Sequence, residues 1–441
     1  MVWYPAQTGG TPVSYLEYVR SRVTEEAFDL TEKEVSELLA LTLKAISVRL
    51  GADQAREELN SRMLAVLDAK PLSGQFPVVI YAAGGYGSAD ENADMCEYLA
   101  SHGYVVIASP SMGAHTKGIS IGLEDVEAQV GDIEFLIGYA KSLPQSDMAH
   151  LAVVGWSWGG MSNVFAAAKD SRITALVSFD GTREPPLTKL IAPPRISLPW
   201  MYVSRTPDTI PQLNRKGIDT SFSLLNEAKY ADLYMLTMYP MTHLDFTSKR
   251  RRQSLDSDFT EYTNVEVSRA YNWVVRYVHQ FLNAYLKQDA GGLAFINNTP
   301  AKNAVPQHMM VAEIRRADDL PLGRESFAAE LATRGFGRAL EVYQETQKRS
   351  SNFKLSEEEL KNWGYALLAR NLCHEAIEIF SLWARLFPGN WDASDSLAEA
   401  YEQNKDTTLA IKYYQRSLDL NPKNDNGRQH LKVLQAAAAT R

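Results

Sequence analysis

Residues 155–159 read Gly155-Trp156-Ser157-Trp158-Gly159, a hydroxyl framed by two glycines in the pattern G-x-S-x-G. The bare pattern is common. Its setting is more telling: it follows the apolar run 151–154 and opens a helical run over 160–169. That strand–turn–helix order lifts a serine on a strained turn to the C-terminal edge of a sheet. Such a turn is too tight for side chains on its flanks, which accounts for both glycines. The N-terminus of the following helix favours negative charge beside the hydroxyl. Ser157 is the candidate nucleophile, against the alternative of a serine that merely occupies a tight turn.

A serine hydroxyl needs a base to take its proton, and on this framework the chain order is nucleophile, acid, histidine. Five histidines follow Ser157: His243, His279, His308, His374 and His430. His243 stands just past the expected strand 234–239, where a late-strand loop delivers it to the sheet edge; the alternative is a loop histidine without a role. His279 shares a helical run with Trp273 and Tyr277 and reads as packing or surface. The other three fall in linker or repeat sequence. Two acids fit, Asp180 at the end of the strand 175–179 and Asp208 after the strand 200–203. Either would orient His243 and stabilise its imidazolium form. Asp180 is the first choice, although an Asp-Gly pair also caps turns. The tetrahedral oxyanion needs two backbone donors. One is the N–H of Trp158; the other comes from the loop 82–87, with Gly85 first and Tyr86 second. No Lys-Ser/Thr follows that loop, so it is not a phosphate cradle. The chemistry calls for no cofactor and no metal.

Around these residues, strands are expected over 78–81, 104–108, 151–154, 175–179, 200–203 and 234–239. Helices are expected over 94–101, 124–142, 160–169 and 264–287. Short, uniformly apolar strands between helices imply an α/β fold with a mostly parallel sheet covered by helices. Residues 13–70 read as a helical insertion, with a capping box at Thr31-x-x-Glu34. The first domain is then 1–287. Residues 288–323, with Gly291, Gly292, Pro300, Pro306, Pro321 and Gly323, read as a linker to a helical domain over 324–437.

The 441 residues suit two or three domains, and 45% hydrophobic with 22% charged residues is an ordinary globular balance. A net charge of −8 argues against nucleic acid as a partner. The basic run 249–252 reads as solvated surface. The two cysteines, Cys96 and Cys373, fall in different expected domains, so no disulfide is expected. No run of 18 apolar residues occurs, so no transmembrane segment is expected. No signal peptide is visible, yet residues 1–5 read like the middle of a strand. The expected location is periplasmic or secreted if an upstream signal was removed, and cytoplasmic otherwise.

The C-terminal helices repeat. Pro388 and Pro422 are 34 residues apart, and Ala376/Ala410, Phe380/Tyr414 and Trp363/Leu397 share that spacing. A 34-residue period of small, aromatic and proline positions is the tetratricopeptide signature. A divergent earlier copy is expected from about 324, with Ala339 and Tyr343 in the equivalent places. Such repeats bind a protein or peptide partner or mediate self-association; a packing appendage with no partner is the competing reading.

The residues over about 3–287 resemble the platelet-activating-factor acetylhydrolases and the dienelactone-hydrolase-like esterases. Trp3-Tyr4-Pro5-Ala6 looks like the acetylhydrolases' early strand, followed there too by a helical insertion. Leu99-Ala100-Ser101-His102-Gly103-Tyr104-Val105-Val106 is similar to another of their segments. Phe179-Asp180-Gly181-Thr182 matches the position of their acid, and His243-Leu244-Asp245-Phe246 looks like the surroundings of their histidine. The resemblance implies an α/β-hydrolase fold and ester hydrolysis with short acyl groups. Departures are Trp156 and Trp158, where the acetylhydrolases carry His and Phe, and Ala83-Gly84-Gly85 in place of His-Gly-Leu. Dienelactone hydrolases use a cysteine nucleophile and take the acid one strand later, the position of Asp208.

The expected function is a serine hydrolase that cleaves a small-molecule carboxylic ester through an acyl-enzyme. An amidase or peptidase on the same residues is the first alternative. The second is a repeat-based scaffold around a vestigial hydrolase, against which the complete Ser/His/Asp set argues. Trp156, Trp158 and Tyr86 around one hydroxyl leave room only for a short acyl group, unless both indoles turn into the core.

Overall fold

The apolar runs of the N-terminal unit pair side by side into one sheet, because strands this uniformly apolar must be covered on both faces. The computed structural model describes all residues except 26, 28, 116–118, 120–121, 182–185, 207–223, 260, 320–321 and 440–441. The chain divides into two compact units, Met1–Asp319 and Leu320–Arg441.

In the first unit the strands are β1 (Val2–Trp3), β2 (Thr11–Ser14), β3 (Arg62–Leu67), β4 (Phe76–Ala82), β5 (Val105–Ser109), β6 (Ser146–Trp156), β7 (Ala175–Phe179), β8 (Trp200–Arg205), β9 (Leu233–Met238) and β10 (Met310–Arg315). Eight of them form one sheet in the order β1-β5-β4-β6-β7-β8-β9-β10. The six inner strands run parallel, and β1 and β10 close the edges antiparallel. This is the mostly parallel sheet of the α/β-hydrolase fold. Side chains alternate between two apolar layers, as the two-residue strand period requires. Val79, Tyr81, Val154 and Val177 pack on one face with the helix Asn264–Leu286. Val78, Ile80, Val153 and Leu176 pack on the other with the helices Leu123–Ala140 and Trp158–Lys169.

Up to Asp319, the expected linker is a structured part of this unit. Residues 288–323 contain the helix Ala290–Asn297 and then β10, which pairs with β9 from Met310↔Met238 to Arg315↔Leu233. The glycines and prolines mark turns, and a short strand between them escapes a reading by composition. Without β10 the outer edge of β9 presents unpaired backbone groups.

Among its described residues the insertion holds the helices Tyr15–Arg22, Glu32–Leu50 and Ala52–Leu59, but it also carries β3, which pairs with β2 as a separate antiparallel ribbon. The basic run, expected on a solvated surface, ties this insertion down instead. It forms the helix Ser248–Arg252. Arg252 bonds Asp94 (2.8 Å) and Glu58 (2.5 Å), and the Arg251 guanidinium stacks 4.4 Å over the Tyr271 ring. From the insertion, Arg49 reaches Asp258 (2.6 Å) and the Gln253 carbonyl (3.0 Å), and Arg22 pairs with Asp90.

The second unit is helical: Arg324–Arg334, Ala339–Arg349, Glu357–Ala369, Cys373–Leu386, Trp391–Gln403, Thr407–Leu420 and Asp425–Ala439. Ala376, Phe380, Ala410 and Tyr414 are fully buried at matching places in two of these helices. A Cβ on Gly364 would lie 2.2 Å from the Phe380 ring, so the glycine lets neighbouring helices close up. Among the described residues no helix is long and apolar enough to cross a membrane, and both cysteines are free.

Candidate active site

β6 delivers Ser157 at its C-terminal end. The residue sits at φ +53° and ψ −116°, a conformation that costs a side-chain-bearing residue about 1–3 kcal/mol. Its surroundings hold it there. The Ser157 N–H donates to the Phe179 carbonyl at 2.8 Å. A Cβ on Gly155 would stand 2.3 Å from the Gly159 carbonyl oxygen, and one on Gly159 would stand 2.1 Å from that of Ala82. Both glycines are therefore obligatory for the close backbone approach.

His243 Nε2 lies 2.8 Å from Ser157 Oγ, and His243 Nδ1 lies 2.7 Å from Asp180 Oδ2. A carboxylate can only accept, so Nδ1 carries the proton and Nε2 is left to accept from the Ser157 hydroxyl. Asp180 is buried at the end of β7, with its own N–H on the Val203 carbonyl of β8 (2.8 Å). Asp208 lies outside the described residues. The structure thus brings together Ser157, His243 and Asp180 from three different strand ends.

The His243 loop is built from its own sequence. Asp245 accepts from the Thr242 N–H and hydroxyl, both at 2.7 Å, and caps the turn His243–Phe246. Phe246 is buried and stacks on Phe179, ring centroids 6.1 Å apart. The Trp156 indole N–H donates to the His243 carbonyl at 2.9 Å. The neighbour of the serine therefore clamps the loop that carries the base.

The loop after β4 reaches the same place. A Cβ on Gly85 would lie 3.8 Å from Trp158 Cβ, so this residue abuts the one that follows Ser157. Tyr86 takes φ +61°, and its side chain is 70% exposed. The three aromatic rings do not all close on the hydroxyl, although the Trp156 ring stays beside the site, its centroid 5.1 Å from that of His243. The Trp156 ring packs in one core layer against Gly84, Trp158 packs in the layer on the opposite face of the sheet, and Tyr86 points to solvent. The tight glycine contacts place these two indoles, and sequence order alone does not reveal which way they turn.

Several groups were not legible beforehand. Arg205 Nε stands 3.0 Å from Asp180 Oδ2, the oxygen that meets His243. A cavity of about 290 Å³ is lined by Gly85, Tyr86, Glu91, Trp156, Leu244 and Lys249, and by none of Ser157, His243 and Asp180. Glu91 is buried behind the 82–87 loop, where desolvation pushes its carboxyl up to about 7. A larger cavity of about 800 Å³ lies beneath β1 and β3 and is lined by none of Ser157, His243 and Asp180. His279 packs rather than reacts. It is wedged between Tyr98, His102 and Asn283, and burial pushes its pKa down to about 4. Among the described residues no His/Cys/Asp/Glu group could hold a metal.

Residues 64–282 match the profile of the Dienelactone hydrolase family. A protein of Synechocystis sp. assigned as a carboxymethylenebutenolidase is 30% identical over 144 residues, 27% of this chain and 58% of that protein. A second protein so assigned, from Methylorubrum extorquens, is 25% identical over 120 residues, 24% of this chain and 41% of its own length. The chain thus spans about half the length of these curated relatives. A ferulic acid esterase from Streptomyces cinnamoneus superposes with a TM-score of 0.48 at 18% identity, over 71% of this chain and 88% of that one. The stretch 64–282 of this chain is a dienelactone hydrolase family domain with the α/β-hydrolase fold.

Proposed function

We propose that the protein is a serine hydrolase acting on a small carboxylic ester. The observation that carries this reading is the unbroken relay from Asp180 Oδ2 through His243 to Ser157 Oγ, with contacts of 2.7 and 2.8 Å, beside a strained strand–helix turn. Ser157 Oγ attacks the ester carbonyl carbon as its proton passes to His243 Nε2. The negative charge that develops on the carbonyl oxygen is held by the N–H groups of Gly85 and Trp158. Collapse breaks the ester C–O bond, and His243 returns its proton to the departing alkoxide. A water molecule then gives a proton to His243 and its oxygen to the acyl carbon; the bond from that carbon to Ser157 Oγ breaks, and His243 returns the proton to Oγ, which frees the acid and restores Ser157. Asp180 keeps the imidazole in the required tautomer and balances its positive form. Neither cofactor nor metal takes part.

The family match over 64–282 supports hydrolysis of an ester, since a dienelactone is a cyclic one. A fluorophosphonate probe should label the protein on Ser157, because only an activated serine reacts, and a panel of small esters and amides should show esters turned over faster. A chain that stays unlabelled and inert on every ester sinks the reading.

The helical unit reads as tetratricopeptide repeats. The helices Cys373–Leu386 and Thr407–Leu420 begin and end 34 residues apart, with Ala376/Ala410 and Phe380/Tyr414 buried in register. Such a unit takes a protein or peptide partner or a second copy of the chain. It holds none of the proposed reacting groups, so a chain cut after Asp319 should keep ester hydrolysis within about twofold, well under the tenfold that 1.4 kcal/mol of barrier would cost. A cut after residue 287 strips β10 from the edge of β9 and should give an aggregating product. Gel filtration and turnover of the two truncated chains check this. A soluble, folded 1–319 chain without activity would show that the repeats complete the site.

A further inference from the structure

The loop that follows β4 is held from behind by a carboxylate that the reaction itself does not use. Glu91 is 3% exposed, and its Oε1 accepts from the Tyr81 hydroxyl at 2.8 Å and from the Gly84 N–H at 3.1 Å. Gly84 is clamped on its other sides as well. A Cβ there would lie 2.3 Å from the Trp156 ring, and the Gly84 carbonyl accepts from the Gly87 N–H at 2.8 Å, closing a turn. The preceding carbonyl, on Ala83, accepts from the Gln129 side chain at 2.8 Å.

These contacts determine where the next donor points. In a trans peptide the C=O and the N–H are opposed. With the Gly84 carbonyl turned inward to Gly87, the Gly85 N–H faces out of the turn, and Gly85 itself abuts Trp158. We propose that Glu91 is a positioning residue for the oxyanion loop: by gripping the Gly84 N–H it holds the Gly85 N–H in the direction that receives the acyl oxygen. This rests on the reading of Ser157 as nucleophile and Gly85 as oxyanion donor.

The surroundings of Glu91 suit that task. Burial is the main influence on its carboxyl; with Tyr81, Gly84 and the Lys249 cation drawing it down and Asp90 raising it, the balance stands at about 7. Asp90 is in turn held by Arg22, and Glu25 accepts from the Ala89 N–H at 2.9 Å, so the insertion braces the same segment. Above pH 7 the carboxylate is the charged acceptor that both donors face.

The test compares Glu91→Asp with Glu91→Gln at pH 8. Aspartate keeps the charge but is one methylene too short to reach the Gly84 N–H. Glutamine keeps the length and one acceptor oxygen. Glu91→Asp should lower kcat about 10- to 100-fold, approaching the loss of one oxyanion donor, with KM changed less than about twofold. Glu91→Gln should retain about a third or more of the wild-type kcat. An aspartate variant at the wild-type kcat overturns the proposal. So does an equal fall in both variants, which would mean that charge or folding matters and reach does not. Fluorophosphonate labelling of the wild-type chain is read first. A missing label on Ser157 defeats the underlying reading, whereas a labelled wild type with a fully active aspartate variant defeats only the role of Glu91.

Discussion

Replacing Ser157 by alanine should abolish ester hydrolysis, with kcat falling by about 10⁶-fold, and should abolish fluorophosphonate labelling, while the protein stays folded. The size of the effect follows from the relay. His243 Nε2 has one acceptor task, at 2.8 Å from Ser157 Oγ, and without that oxygen no covalent acyl intermediate forms. The fold should not suffer. Alanine keeps the Cβ that the φ of +53° already accommodates, and the Ser157 N–H keeps its bond to the Phe179 carbonyl. A melting curve that overlays the wild type, measured on the same sample as the lost turnover, separates chemistry from folding. Unchanged turnover in that sample would move the nucleophile elsewhere.

Asp180→Asn should be the next most damaging change, costing about 10³ to 10⁴ in kcat, while Asp208→Asn costs far less. Asp180 Oδ2 accepts from His243 Nδ1 at 2.7 Å and stands 3.0 Å from Arg205 Nε. An asparagine can answer in two ways, and both lose. If its NH2 faces the ring, it donates to Nδ1, and the proton moves to Nε2, where it blocks acceptance from Ser157. If its oxygen faces the ring, the tautomer survives, but the charge that balances the imidazolium is gone, and Arg205 is left beside a neutral amide. Steady-state kinetics of the two variants decide between the acids. A larger loss at Asp208 would place the acid one strand later, as in the dienelactone hydrolases.

The comparison of the two acids shows where local sequence runs out. The strand–turn–helix around Ser157 is a short-range pattern, and both of its glycines are explained by atoms within or beside it. The same holds for the His243 turn, where Asp245 caps Thr242 three residues away. Asp180 and Asp208, by contrast, follow neighbouring strands of one sheet, and their spacing along the chain does not say which meets the ring. Contact with His243, 63 residues further on, brings Asp180 there.

Sequence by itself determined the features with a short period. These are the parallel-strand texture of the apolar runs, the order of elements around the elbow, the capping box at Thr31, and the 34-residue spacing of the C-terminal helices. Periodicity and capping are local, so they survive in one dimension. Tertiary structure alone decided that β10 closes a sheet after a stretch that reads as linker, that Trp156 and Trp158 turn to opposite faces, and that the basic run 249–252 pins an insertion. It also put Arg205 beside Asp180 and Glu91 behind Gly84. The Arg252–Glu58 and Arg49–Asp258 pairs join residues 194 and 209 positions apart. An arginine or glutamate carries no mark of its partner. Only the fold supplies the partner, because a charge is tolerated in a buried place when an opposite charge or a hydrogen-bond donor has been brought there to meet it.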